Sequence, residues 1–207
     1  MLFPGGRTKA LTMSYDDGVT QDKRLIEIFN KYGIRGTFNL NSGSFGQQDE
    51  LVRKDYRVNH SHIPAEEIKE VYKNHEVAIH TLTHPNLRQL PKEILIYEVM
   101  EDKKNIEELV GYPVRGMAYP FGAYDNDVLT ALKELNIEYS RTTRSHEKFT
   151  LPTNFLEWEA TCHHGNKEIM NLAKSFLESK DLSLFYMWGH SYEFDIDNSW
   201  DTMEEFC

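Results

Sequence analysis

The chain reads as an α/β protein built on a parallel sheet, closed as an incomplete barrel. Three observations lead there. Short β-branched and aromatic runs alternate with amphipathic segments, the pattern of βα units. Seven strand candidates fit into the 207 residues, which falls short of an eight-fold barrel. The chemically reactive side chains fall just after strands, the end at which parallel sheets and barrels bind ligands.

The first strand is 9–15 (KALTMSY), followed by a helix over 20–32 that closes on Gly33, a left-handed cap position. A second strand, 35–41, runs into the polar stretch 41–62, which is long for a βα connection and reads as a lid with His60 and His62 in solvent. A helix over 64–74 leads to the strand 76–80 (EVAIH). In the helix 91–110, Ile94, Tyr97, Ile106 and Leu109 recur at helical intervals, and Gly111 ends it. Strands at 114–119, 137–143, 155–162 and 183–189 then frame helices at 125–135 and 166–179. The closing "NSWDTMEEFC" resembles an amphipathic helix, either a short docked one or one cut through. With no repeat or low-complexity linker, 1–207 reads as one domain, complete or truncated at its C-terminus.

A net charge of −10 argues against nucleic acid or an anionic membrane surface as partner, because both need a basic patch. Two cysteines, Cys162 and Cys207, make no disulfide framework and suit a reducing compartment. No apolar run reaches the length of a membrane span, and the N-terminus lacks a basic segment followed by an apolar one. The expected location is cytoplasmic, or exported if a leader was removed. The oligomeric state is not legible.

"SYDDG" at 14–18 places Asp16 and Asp17 at the end of the first strand. "HTLTH" puts His80 and His84 at the end of the third, separated by three residues, so that both imidazoles can face one ion from one side of a helical turn. Thr81 and Thr83 there can offer hydroxyls to nearby backbone. Two imidazoles and a carboxylate form a three-ligand site with an open position, the pattern of a catalytic metal. If Asp17 ligates, Asp16 stands beside it as a general base. The plainer alternative, an Asp-Gly turn with Asp16 capping the next helix, accounts for one aspartate and not for the pair with its histidines.

Taken in order, "SYDDG", "HTLTH", "YPFG" (119–122) and "WGHS" (188–191) resemble the motifs of the polysaccharide deacetylase family, the NodB-homology carbohydrate esterases, over about residues 9–195. That resemblance implies a distorted (β/α)7 barrel and removal of acetyl groups from an acetylated carbohydrate. It also implies one divalent metal, zinc first, with cobalt, nickel or manganese as alternatives. It assigns Asp16 as base, Asp17, His80 and His84 as metal ligands, and His190 as acid. The backbone N–H of Phe121 becomes an oxyanion donor. The expected substrate contains N-acetylglucosamine, as in chitin or peptidoglycan fragments. The alternatives are an O-acetyl xylan ester, a non-sugar C–N amide, or, in another class, a non-catalytic carbohydrate-binding barrel.

Three departures stand out. The motif arginine is missing: Ala118 occupies its place, leaving Arg115 or Arg35 as substitutes. The segment "LEWEATCHHGN" lacks the usual acid-orienting Asp, so Glu159 or Glu157 is expected to serve, with Trp158 as a stacking ring; His163 and His164 follow, in solvent or near the site. Gly189 precedes His190 where the family commonly has an apolar residue. Trp188, Tyr192 and Phe194 are the candidates for a sugar-stacking wall, and Tyr119 is a further substrate-binding candidate. Asp16 and His190 come from the first and last strands and meet only if the sheet closes on itself.

Overall fold

The computed structural model describes residues 2–207. The elements run β1 (Lys9–Asp16), α1 (Asp22–Tyr32), β2 (Thr37–Leu40), β3 (Glu50–Val52), β4 (Arg57–Asn59), α2 (Ala65–Val71), β5 (Glu76–Ile79), α3 (Lys92–Val110) and β6 (Gly116–Ala118). They continue α4 (Asn126–Glu134), β7 (Tyr139–Ser145), β8 (Trp158–Ala160), β9 (Cys162–His163), α5 (Ile169–Glu178), β10 (Ser183–Gly189), α6 (Glu193–Asp197) and α7 (Trp200–Phe206). Gly33 and Gly111 end α1 and α3 at φ of 70° and 81°, as the cap reading requires.

The main sheet is parallel, in the order β8-β7-β6-β5-β2-β1-β10-β9. Its two ends are pieces of one extended segment, 158–163. Between them, Thr161 donates its N–H to Tyr186 O at 2.7 Å and accepts from Glu147 N at 2.9 Å. One interrupted strand therefore pairs with β7 on one side and β10 on the other, closing a distorted seven-stave barrel.

Alternation along the strands sorts the side chains into two zones. Met13 and Tyr15 join Leu25, Phe29, Phe38, Ile79, Met117 and Phe185 in the main apolar core between barrel and helices. The intervening Ser14, Asp16, Asn39 and Arg141 meet in the barrel interior, where they hydrogen-bond to one another. In α3 the inward face is Leu95, Glu98, Val99, Asp102 and Ile106. Ile94 and Tyr97, which the sequence pattern placed on the apolar stripe, are exposed. Two carboxylates occupy the inward face instead, and both are used at the site. The stretch 41–62 holds a small antiparallel hairpin, β3–β4, unforeseen in the sequence. Its base is tied to the loop after β1 through Thr20 N–Ser61 O and Ile63 N–Gly18 O, both 2.9 Å.

Candidate active site

Asp16 and Asp17 leave β1 at a turn in which Asp17 and Gly18 both take positive φ, 78° and 66°. Asp tolerates this conformation, and the turn sends the two carboxylates different ways. Asp16 faces the barrel interior, fully buried. Its Oδ1 accepts from Asn39 Nδ2 at 2.8 Å, and its Oδ2 pairs with the Arg141 guanidinium. Burial alone would raise its pKa, but Arg141, with His80 and His190 nearby, holds it below the usual carboxylate range.

Asp17 Oδ1 lies 3.7 Å from His80 Nε2 and 3.8 Å from His84 Nε2, and the three atoms lie within 4.8 Å of one another. The His80–His84 segment is not a helical turn: Thr81 and His84 have φ of 68° and 58°. Side chains of α3 hold it in this shape. Glu98 accepts from Thr83 N at 2.8 Å and from the Thr83 hydroxyl at 2.7 Å, so that hydroxyl goes to a side chain and not to backbone. Asp102 accepts from Ser42 N at 2.7 Å and His80 N at 3.1 Å. His80 Nδ1 lies 2.7 Å from Ala118 O, which fixes the hydrogen on Nδ1 and leaves a lone pair on Nε2. A tautomer fixed in this way, with a carboxylate and a second imidazole converging on the same space, fits a divalent cation.

His190 comes from the loop after β10. Because Tyr15 is the register partner of Gly189, Asp16 and His190 leave adjacent strands at one level, with His190 Nε2 3.9 Å from Asp16 Oδ2. Burial would lower the His190 pKa, but Glu193, Asp17 and Asp16 outweigh it and push it up to about 9. Phe121, 65% exposed, stands on the rim with its ring edge-on to His84 at 4.6 Å. Tyr192 lies across the opening between His60 and His190, with ring centroids at 4.8 and 5.3 Å.

Several expectations need correction. Arg115 is exposed and faces Glu138 at 3.8 Å, and Arg35 is also exposed; neither approaches Asp16. The arginine that does is Arg141, 0% exposed, the register partner of Ala118 on the neighbouring strand. Glu159 pairs with Arg144 at 2.9 Å, and Glu157 accepts from Tyr124 and Asn154; the carboxylate beside His190 is Glu193, which also faces His163 and His164. Tyr119 is buried, its hydroxyl bonded to Leu156 O at 2.8 Å. Trp158 packs on Tyr186 and Phe155, Trp188 is buried with the Arg141 guanidinium 4.5 Å above its ring, and Phe194 is core. Of these five aromatic candidates, Tyr192 alone borders the opening. His60 is not in solvent: its Nε2 lies 3.7 Å from Asp17 Oδ2, and His62 is buried. No helix among the described residues is long and apolar enough to cross a membrane.

The sequence profile described as polysaccharide deacetylase matches residues 5–140. A chitin deacetylase from Arthroderma benhamiae is 27% identical over 150 residues, 68% of this chain and 36% of that protein. The chain thus spans about a third of that relative's length. The Streptococcus pyogenes deacetylase PplD, solved in complex with acetate, superimposes with a TM-score of 0.56 at 21% identity, over 64% of this chain and 55% of that one. A carbohydrate esterase family 4 pseudoenzyme from Bacillus anthracis superimposes over 95% of this chain and 60% of its own, with a TM-score of 0.54 and 18% identity. With a profile covering most of the chain and a barrel shared with these structures, the chain belongs to the polysaccharide deacetylase family.

Proposed function

We propose that residues 1–207 form one catalytic domain, a metal-dependent hydrolase that removes acetyl groups from an N-acetylglucosamine-containing oligo- or polysaccharide. One observation carries this reading. Asp16, with the pKa ordering of a base, stands between a three-donor cation site and His190, with the pKa ordering of an acid. Asp17, His80 and His84 would hold the ion. Bound there, a divalent ion such as zinc supplies Lewis-acid polarisation of a carbonyl and acidifies water.

The remaining work falls to the chain's own groups. Asp16 accepts a proton from the attacking water, and Arg141 and Asn39 keep its carboxylate ionised and aimed. The Phe121 N–H donates to the oxygen of the tetrahedral intermediate, a contact of a kind whose loss costs on the order of 3 kcal/mol. His190 delivers its Nε2 proton to the departing sugar nitrogen as the C–N bond breaks. Phe121 and Tyr192 offer ring faces on two sides of the opening for sugar C–H groups. The name of the Arthroderma relative supports a chitin-type substrate.

The pseudoenzyme likeness motivates a second reading, a non-catalytic carbohydrate-binding barrel. Acetate release decides between them, using N-acetylglucosamine oligomers, acetylated xylan and an aryl acetate with chelator-stripped protein and after zinc or cobalt is restored. Metal-dependent release from the oligomers supports the proposal. Release from esters alone moves the assignment to an O-acetyl esterase. Metal uptake without release from any of them refutes it, in favour of the binding barrel or a non-sugar amidase.

A further inference from the structure

Glu193, the first residue of α6, faces three imidazoles. Its Oε1 lies 3.3 Å from His190 Nδ1, and its Oε2 lies 3.0 Å from both His163 Nε2 and His164 Nε2. The same Oε2 accepts the backbone N–H of His190 at 3.2 Å. Building on the deacetylase reading, we propose that Glu193, braced by His163 and His164, is the positioning residue that orients His190 as proton donor. It would take the place of the carboxylate expected near residues 157–159.

Neighbours on a strand point to opposite faces, so His163 and His164 should not reach one oxygen. They do because β9 ends at His163 and the chain turns there. Neither His164 Nε2 nor His190 Nδ1 makes a straight hydrogen bond to a described residue. Glu193 is the acceptor within reach of both, approached off the N–H axis. The carboxylate is held well below its usual range: burial opposes this, and the three imidazoles overcome it.

Three such groups can also hold a cation. The tautomer of His163 argues otherwise. Gly165 N–H donates to His163 Nδ1 at 3.1 Å, so the Nδ1 lone pair is engaged and the hydrogen sits on Nε2. That nitrogen faces Glu193 Oε2 at 3.0 Å and has no lone pair left for a metal, the reverse of His80. The departure at Gly189 belongs to the same arrangement. A Cβ at 189 would lie 2.2 Å from His164 Nδ1, so the missing side chain is what admits the buried His164 ring. Gly189, His164 and Glu193 thus form one connected solution to holding His190.

The test uses zinc-loaded protein with ¹⁵N-labelled histidine, comparing wild type, Glu193→Ala and Glu193→Gln. In wild type the His190 Nδ1 proton should give a hydrogen-bonded signal, which Glu193→Ala loses. The kcat of Glu193→Ala should fall about 100-fold, the scale of general-acid contributions, with KM and one bound zinc unchanged. Glu193→Gln, which keeps an acceptor without the charge, should recover part of that kcat. An unchanged Nδ1 signal in Glu193→Ala overturns the proposal. So does a second zinc equivalent in wild type that disappears with Glu193, which would make this cluster a cation site. If wild type releases no acetate from any substrate, the deacetylase reading falls while the Nδ1 signal still decides the role of Glu193.

Discussion

Arg141→Met tests the electrostatic centre of the site. Arg141 donates to Asp16, to Ser14 Oγ at 3.2 Å and to Thr142 O at 3.0 Å, and it is wholly buried. Methionine fills similar volume without the charge, leaving Asp16 with the Asn39 hydrogen bond and with His80 and His190 at 3.8 and 3.9 Å. Removing one member of a buried ion pair costs about 3–5 kcal/mol. For a chain of this size that lowers Tm by roughly 6–20 °C. The sign with pH follows from the depressed Asp16 pKa. The pair stabilises above the unfolded carboxylate value, and that stability is lost as pH falls through the folded value. The Tm gap between wild type and variant should therefore be wide at neutral pH and narrow in acid. With Arg141 gone, burial pushes Asp16 upward against His80 and His190 alone, and the acid limb of kcat/KM should rise by roughly one to three units. Arg141→Lys keeps the charge and should fall between the two; it carries the test if the methionine variant does not fold. Thermal unfolding and pH–rate profiles of acetate release measure both effects. A methionine variant with the wild-type Tm and acid limb would refute the pairing.

Asp16→Asn should reduce turnover by at least about 100-fold while one metal equivalent survives dialysis, because Asp17, His80 and His84 remain. In the proposed role His190 acts protonated, and its pKa is pushed up to about 9, so kcat/KM should hold through neutral pH and fall as pH rises through about 9. A basic limb near 6.5, the ordinary histidine value, would count against Glu193 and the aspartates acting on it. Asp22, buried under Tyr72 and Ser191, is raised to about 7 by desolvation. The native state then holds a proton that the unfolded chain releases, and stability falls as pH rises from about 4 to 7. Asp22→Asn should flatten that fall, and a Tm–pH curve identical to wild type would show that Asp22 ionises normally.

Much of this was legible because the pattern repeats. The strands and principal helices follow runs of apolar residues with clear periods, and the motif residues follow strands. The hairpin β3–β4 was not, since its strands "ELV" and "RVN" are three residues each inside a polar stretch. Nor could the sequence show that His60 folds back beside Asp17. Arg141 was hidden for a different reason: an arginine in "SRTT" reads as a strand at the rim, whereas burial is affordable here because Asp16 waits in the interior. Glu98 and Asp102 break the apolar period of α3, and that break was the available signal. Glu193 stands three residues after His190, one helical turn away, which could have marked it as the partner.

The position of Arg141 leads to a sharper prediction. Parallel register partners point to the same side at the same height, so position 141 offers the guanidinium from one strand further round than position 118 does, about 4.8 Å away. Neither β6 nor β7 adjoins β1 in the sheet order, so an arginine from either must cross the barrel interior to reach Asp16. Only a long side chain can do that, and only in a closed barrel. The two positions should then be interchangeable. Ala118→Arg alone crowds Arg141 and should destabilise by about 1–3 kcal/mol. Arg141→Ala alone leaves Asp16 uncompensated. Together the two changes restore one arginine at one level, and the double variant should be more stable than the sum of the singles by about 1–3 kcal/mol, with the acid limb of kcat/KM moving back toward wild type. A double variant no better than Arg141→Ala in both measurements would mean that Arg141 is held by Thr142 of its own strand and the Trp188 ring of β10, and that its place opposite Ala118 is incidental.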